Sequence, residues 1–329
     1  MKPALSIVII GRNEGERLRR CLRSVQEMEP VDGAVEVIYV DSGSTDRSMA
    51  VAAEAGAHAI ALDHPRPSAA RARNTGWQAA AADWILFLDG DTILHPEFPR
   101  TALQAVSYAS CAVVWGHRRE LHSDANWFQR VLDLDWIYRP GETEFCGGDA
   151  LMRRSALEAT GGFDATLIAG EEPELCLRLR RLGYTILHLD APMTGHDLAI
   201  TSWKQYWSRA ARAGYAYSSM AWRTRNDAMP LWVAEAKANK TRAMVLMSAL
   251  PVFFALLLVM PVLALTAASL VALMLIRSAW RARWKSADPV SLLLYAMHSH
   301  LQQLPIYAGQ LAFQRDLARN QHRGLIEYK

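Results

Sequence analysis

Two acidic elements lie 80 residues apart in a chain of 329: Asp89-Gly90-Asp91, directly after the apolar run 84–88, and Glu171-Glu172 in the stretch 170–175. Charge at the end of a buried strand is costly unless a cation or hydrogen bonds offset it. Hard oxygen ligands facing a divalent ion supply that offset, so Asp89 and Asp91 suit a clamp for Mg²⁺ or Mn²⁺ bridged to a diphosphate. At spacing i, i+2 in an extended turn, one carboxylate can face a ribose and the other the ion. Glu171 and Glu172 suit a base that removes a proton from a hydroxyl. They also suit a helix start, because Glu-Glu-Pro-Glu complements the positive end of a helix dipole. Both readings can hold together.

The elements that must position these groups alternate between strand and helix. Residues 5–10 read as a buried parallel strand and 13–26 as a turn and helix with Leu18, Leu22 and Val25 on one face. A second strand, 35–40, ends at Asp41-Ser42-Gly43-Ser44-Thr45-Asp46, a turn able to cap a helix over 47–55. A short strand at 57–62, a helix at 69–81 and the strand at 84–88 follow. The pattern predicts an α/β fold with a right-handed, mostly parallel sheet whose ligands gather outside the carboxyl ends of the strands. Asn13-Glu14, Asp41 and Asp89-Gly90-Asp91 all fall at such ends. Asp41 can accept hydrogen bonds from a base N–H or ribose hydroxyl, or it can cap the helix that follows it. Asp46 is better explained as the cap. Arg71 and Arg73 offer planar cationic forks toward a nucleotide, with Asn74 beside them.

The chain is 51% hydrophobic and 21% charged, with a formal charge of +3 that hides an asymmetry. Residues 1–202 hold 20 Lys and Arg against 28 Asp and Glu, net −8, whereas residues 203–329 hold 16 against 5, net +11. An acidic front half argues against a nucleic-acid groove there, and a basic, apolar rear half suits membrane lipids. Four widely spaced cysteines with no C-x-x-C fit a reduced compartment. The first apolar run is too short for a secretory leader.

From Ala243 to Ile276 runs a stretch of 34 residues without a charge, containing Pro251 and Pro261. As one helix it would extend roughly 50 Å, too long for an untilted crossing of a hydrocarbon core about 30 Å thick. A hairpin turning near Pro261, or a kinked helix, is expected. Lys237, Lys240 and Arg242 precede it and Arg277, Arg281, Arg283 and Lys285 follow, which favours both ends in the cytoplasm. Beyond it an amphipathic helix carries His298 and His300, whose spacing puts them on different faces and argues against a metal pair. The expected division is a catalytic domain over 1–215, a basic amphipathic linker over 216–242, the membrane segment over 243–276 and a basic helical tail over 277–329.

Asn13-Glu14 after the first strand, Val40-Asp41-Ser42-Gly43-Ser44-Thr45-Asp46, Ala72-Arg73-Asn74 and Phe87-Leu88-Asp89-Gly90-Asp91, taken as an ordered set, resemble the family 2 inverting glycosyltransferases of GT-A fold. Gly147-Gly148, Gly161-Gly162-Phe163-Asp164 and the Glu171-Glu172 stretch with Arg178 continue the likeness through about residue 215. The resemblance implies a Rossmann-like GT-A sheet flanked by helices. It implies a nucleotide-sugar donor held by Asn13, Glu14, Asp41, Arg71, Arg73, Asn74, Asp89 and Gly90, and an acceptor near Gly147, Gly148 and Asp149. The divalent ion would rest on Asp91 and Asp89, completed by His196. The family usually has Glu-Asp where this chain has Glu-Glu, so Glu172 is the expected base by position, with Glu171 as its support or partner. Arg209 and Arg212 lie where related enzymes carry a loop over the diphosphate.

The Gln-x-x-Arg-Trp signature of processive synthases is absent, which favours addition of one sugar. The implied activity is transfer to a lipid-linked or saccharide acceptor at the cytoplasmic face of the cell inner membrane, in exopolysaccharide or glycolipid synthesis. A catalytically inactive membrane scaffold of the same fold is the alternative. A nicotinamide dehydrogenase is excluded by the lack of G-x-G-x-x-G after the first strand.

Overall fold

The computed structural model describes residues 2–106, 110–167 and 169–320. In chain order the elements are β1 (Leu5–Gly11), α1 (Glu16–Gln26), β2 (Val35–Asp41), α2 (Ser48–Glu54), β3 (His58–Ala61), α3 (Ala69–Ala79) and β4 (Trp84–Asp89). There follow β5 (Thr92–Leu94), α4 (Phe98–Ala105), β6 (Cys111–Glu120), α5 (Trp127–Asp135), β7 (Gly141–Glu142), β8 (Ala150–Arg153), α6 (Arg154–Thr160), α7 (Glu171–Arg181) and β9 (Thr185–His196). The remainder is helical: α8 (Trp203–Thr224), α9 (Val233–Val259), α10 (Pro261–Ala282), α11 (Pro289–Leu301) and α12 (Gln303–Ala318).

The chain forms two units, Met1–Leu121 with Trp136–Leu198, and His122–Asp135 with Ala199–Lys329. The boundary expected at residue 215 falls inside α8, which runs unbroken to Thr224. The boundary at 242 likewise falls inside α9, and the last nine residues of the expected tail, 321–329, lie outside the described residues.

In the first unit a nine-stranded sheet runs β3-β2-β1-β4-β8-β6-β9-β5, with β7 added along β9. From β3 to β4 every pairing is parallel, as the strand–helix alternation predicts. Beyond β4 the sheet is mixed: β8 is antiparallel to both β4 and β6, β6 and β9 are parallel, and β5 and β7 are antiparallel to β9. The all-apolar segments of β1 and β4 lie in the middle and are buried on both faces, with Ile7, Val8, Ile9, Leu86, Phe87 and Leu88 fully enclosed. Cys21, Cys111, Cys146 and Cys176 are free and buried.

In the second unit α8 opens with a capping box in which Ser202 accepts from Gln205 N and Gln205 returns a bond to the Ser202 backbone. His298 is buried between elements, its Nδ1 2.8 Å from Tyr206 Oη and its Nε2 3.1 Å from Asp135 Oδ2. His300 meets Ser278 Oγ at 3.1 Å. The two histidines thus serve different contacts, in keeping with their spacing. The uncharged stretch divides into α9 and α10 at Met260, whose φ of −141° and ψ of 73° break the helix. Both helices are long and apolar enough to cross a membrane.

Helices α8 and α12 touch backbone to backbone. A Cβ on Gly214 would stand 1.9 Å from Ile306 O, and one on Gly309 would stand 1.9 Å from Ala211 O. No rotamer change relieves a clash with main chain. Gly214→Ala and Gly309→Ala are each expected to destabilise the second unit by about 1–3 kcal/mol, the scale of core overpacking. Thermal unfolding of the full chain in detergent checks this, and unchanged melting of both variants would contradict the close crossing.

Candidate active site

Register brings the strand ends together. Gly11 lies opposite Asp41 and Ile10 opposite Asp89, so the loops after β1, β2 and β4 leave the sheet at one level. The order β3-β2-β1-β4 reverses direction between β1 and β4, the crevice where open α/β sheets bind ligands.

The first two loops are tied to each other. Asn13, at φ 55°, donates its backbone N–H to Ser44 Oγ and accepts from Thr45 N at Oδ1, 2.7 Å away. Asp46 accepts from Ser48 N and, on its other oxygen, from Gly15 N. Glu14 pairs with Arg17 at 3.0 Å. Asp41 is 3% exposed, and both its oxygens are engaged within its own turn, Oδ1 by Tyr39 and Ser44 hydroxyls and Oδ2 by Gly43 and Ser44 N–H groups. Its first task is therefore the turn itself. Gly90 donates its N–H to Ile10 O and packs where a Cβ would meet that oxygen at 3.1 Å.

Arg73 departs most from its expected role. Its guanidinium is buried and pairs with Asp89 at 2.9 Å, Glu172 at 2.8 Å and Glu171 at 3.3 Å, with the Phe163 ring 5.6 Å away. Burial alone would lower its pKa, but Glu172, Asp89 and Glu171 raise it above the ordinary arginine value. Arg73 is thus the internal counter-ion of the carboxylates. Gly148 makes room for it, since a Cβ there would stand 2.6 Å from Arg73 Nη2, whereas one on Gly147 would meet open space.

Asn74 is similarly occupied: Nδ2 donates to Phe163 O, and Oδ1 accepts from Phe163 N and Trp77 Nε1. It fixes the 161–164 turn. Arg71 stands half-buried on α3.

Glu171 and Glu172 open α7 immediately after Gly170, whose φ of 85° turns the chain into the helix. The helix amino end and the carboxylate pair coincide, as their sequence suggests. The Glu172 carboxyl is pushed up to about 7 by burial first and then by Glu171, with Arg73 opposing. A group held there exists in both protonation states near neutrality, as a general base requires.

Asp149 also differs from expectation. It is 3% exposed, and its oxygens accept from Asp89 N and Thr194 Oγ1 at 2.9 and 2.8 Å, so it braces the Asp89 turn from behind. Burial raises its pKa, with Arg118 opposing. Thr92 Oγ1 donates to Asp89 O at 2.8 Å.

Asp91 and His196 come together, Oδ2 to Nε2 at 3.4 Å, both about 5% exposed at the side chain. The Trp136 ring meets the imidazole edge-on at 4.9 Å. Glu120 Oε2 is 3.8 Å from His196 Nδ1. Burial first, and the charge of Arg118 next, lower the histidine to about 4, so the ring is neutral near pH 7 and keeps a lone pair for a metal. Among the described residues no three His, Cys, Asp or Glu side chains form a ready metal cage. A carboxylate with substrate phosphate oxygens matches the way Mg²⁺ is bound at phosphate-transferring sites, and a neutral imidazole beside it suits a transition ion such as Mn²⁺, so this donor set fits a divalent ion of that kind. Arg209 and Arg212 stand on α8 in the second unit, where Arg209 helps His298 hold half-buried Asp135 below its usual range against the effect of its partial burial.

Arg118, Glu120 and Trp136 escape sequence reasoning. Arg118 lies 3.6 Å from Asp89 Oδ2 and 3.5 Å from Asp149 Oδ2, with Trp136 4.9 Å from its guanidinium. The alternation Arg118-Arg119-Glu120 at the end of an apolar strand is the available signal, because positions 118 and 120 share a face.

Residues 6–161 match the family model Glycosyl transferase family 2, and residues 84–281, more than half the chain, match Glycosyl transferase family group 2. A pre-mycofactocin glycosyltransferase of Mycobacterium tuberculosis is 29% identical over 252 residues, covering 70% of this chain and 50% of the relative. Glycosyltransferase AglE of Haloferax volcanii is 27% identical over 193 residues, covering 56% of this chain and 64% of its own. The chain thus spans about half to two thirds of the length of these curated relatives. Among solved structures, a mannosyltransferase from Pyrobaculum calidifontis, in complex with GDP-Man and Mn²⁺, superposes with a TM-score of 0.69 at 16% identity, over 96% of this chain and 88% of that one. That likeness is one of fold, and with the two family matches it shows that the chain belongs to the family 2 glycosyltransferases of GT-A fold.

Proposed function

We propose that the protein is an inverting glycosyltransferase that moves a sugar from a nucleotide-sugar donor to a lipid-linked or saccharide acceptor at the cytoplasmic face of a membrane. The observation that carries this reading is the convergence of Glu171 and Glu172 with Asp89 on one buried guanidinium. Carboxylates for donor and acceptor chemistry are thereby held in one site, although their elements are far apart in sequence.

In this mechanism Glu172 accepts the proton of the acceptor hydroxyl as that oxygen attacks the anomeric carbon. The bond from that carbon to the donor phosphate breaks on the opposite face, and the configuration inverts. Glu171 supports the base by sharing Arg73 with it. Asp91 and His196 would hold Mg²⁺ or Mn²⁺, which when bound neutralises charge on the departing nucleoside diphosphate. The loops 11–15 and 41–46 offer backbone and side-chain partners to the nucleoside, with Asn13 and Asp41 as the residues that fix their shape.

Helices α9 and α10 would anchor the enzyme as a membrane hairpin. Residues such as Leu258, Val259 and Val262 expose 85%, 78% and 73% of their surface, far more apolar area than an aqueous monomer presents. Flanking Lys and Arg favour cytoplasmic ends, and the hairpin supports a lipid-linked acceptor.

Glu172→Gln is expected to lower kcat about 10²–10⁴-fold, the range for loss of a general base, while donor binding persists. Because the base acts ionised, kcat/KM of the unmodified protein should rise as pH passes through about 7 and level off above it. A flat pH profile, or an active Gln variant, would remove Glu172 from the role. In a thermal-shift panel of nucleotide sugars, Mn²⁺ should augment stabilisation by the true donor, and Asp91→Asn should abolish that increment. Failure of every donor to stabilise the protein or release diphosphate would favour the inactive scaffold. A reporter fused after residue 329 should read cytoplasmic, and an external signal would reject the hairpin.

A further inference from the structure

We propose that Arg118 is a positioning residue that sorts the two carboxylates of Asp89-Gly90-Asp91, keeping Asp89 out of a divalent ion's coordination and leaving Asp91 with His196 as the protein's ligands. The inference rests on the proposed ion site and adds a determinant to it.

Asp89 is held at every polar atom that could steer it. Its N–H is fixed by Asp149, its carbonyl by Thr92, Oδ1 by Arg73 at 2.9 Å, and Oδ2 by Arg118 at 3.6 Å. Arg118 is in turn shared with Asp149 at 3.5 Å and lies against the Trp136 ring at 4.9 Å. A guanidinium carries donors only and cannot lose its proton in a protein, so the oxygen it faces is denied to a second cation unless the two positive charges approach each other. Asp91 has a different neighbour: a buried imidazole at 3.4 Å, able to share an ion with it. Two carboxylates spaced i, i+2 are thus made chemically unequal by a residue from β6, far from both in sequence. Lysine at 118 would keep the charge and lose the planar fork, whereas glutamine would lose the charge.

The test is Mn²⁺ binding to the full chain in detergent, without nucleotide, followed by the electron paramagnetic resonance of free Mn²⁺. Arg118→Gln should bind Mn²⁺ tighter, by on the order of tenfold, as one opposing charge leaves and Asp89 Oδ2 becomes available. Arg118→Lys should restore affinity near that of the unmodified chain, a rescue that loss of packing against Trp136 would not give. Asp89→Asn should weaken binding through charge alone and far less than Asp91→Asn in the unmodified background, and should cancel the gain in the Arg118→Gln background. Unchanged or weaker binding by Arg118→Gln would overturn the proposal. So would an Asp89→Asn loss as large as that of Asp91→Asn, a comparison independent of whether Arg118→Gln folds. If Asp91→Asn itself binds Mn²⁺ as well as the unmodified chain, the ion site fails, and the role of Arg118 fails with it.

Discussion

One buried cation, Arg73, holds the candidate site together. It stands on α3, reaches the end of β4 through Asp89 and reaches the start of α7 through Glu171 and Glu172. Three carboxylates at such range would repel one another in a medium of low polarity, and each would tend to take up a proton. A permanently charged guanidinium lets them share one place. The arrangement has little slack, since removing one partner of a buried ion pair typically costs about 3–5 kcal/mol by stranding the others. It also sets the chemistry: burial and Glu171 lift Glu172 toward neutrality while Arg73 limits the rise.

The surrounding fold follows from this demand for alignment. Glycines at 148 and 90 admit the guanidinium and the neighbouring strand at distances that a side chain would forbid. Asn74 ties the turn before α7 to α3, the same helix that carries Arg73. Asp149, at the start of the antiparallel strand β8, locks the backbone of Asp89. The polar network is continuous from α7 to β6, and most of its members touch other protein groups.

Much of the first half of the fold was legible in the sequence, because buried parallel strands read as uninterrupted apolar runs and the intervening helices repeat every three to four residues. Asp89 and Asp91 were legible because charge at the end of an apolar run stands out, and Glu171 and Glu172 because an acidic cluster opens a helix at the place the family pattern leads one to look. Arg73 was noticed, but its carboxylate partners were not, since a sequence cannot tell a cation pointed at solvent from one turned inward against carboxylates 16 and about 100 positions away. Asp149 and Asn74 have the same ambiguity. Arg118 and Glu120 lay in β6, whose pairing with β8 and β9 is non-local, and no spacing rule joins residue 118 to residue 89 or 149. The helix boundary at Met260 was foreshadowed by Pro261, whereas the continuity of α8 past residue 215 depends on packing against α12 that a linear pattern does not disclose.

Strand β4 is the seam of the sheet. On one side it joins the all-parallel series β1, β2 and β3, and on the other the antiparallel β8. Asp89 at its end keeps register with Ile10 on the parallel side and is held by Asp149, just ahead of β8, on the mixed side, so loops on either side can change length without moving it.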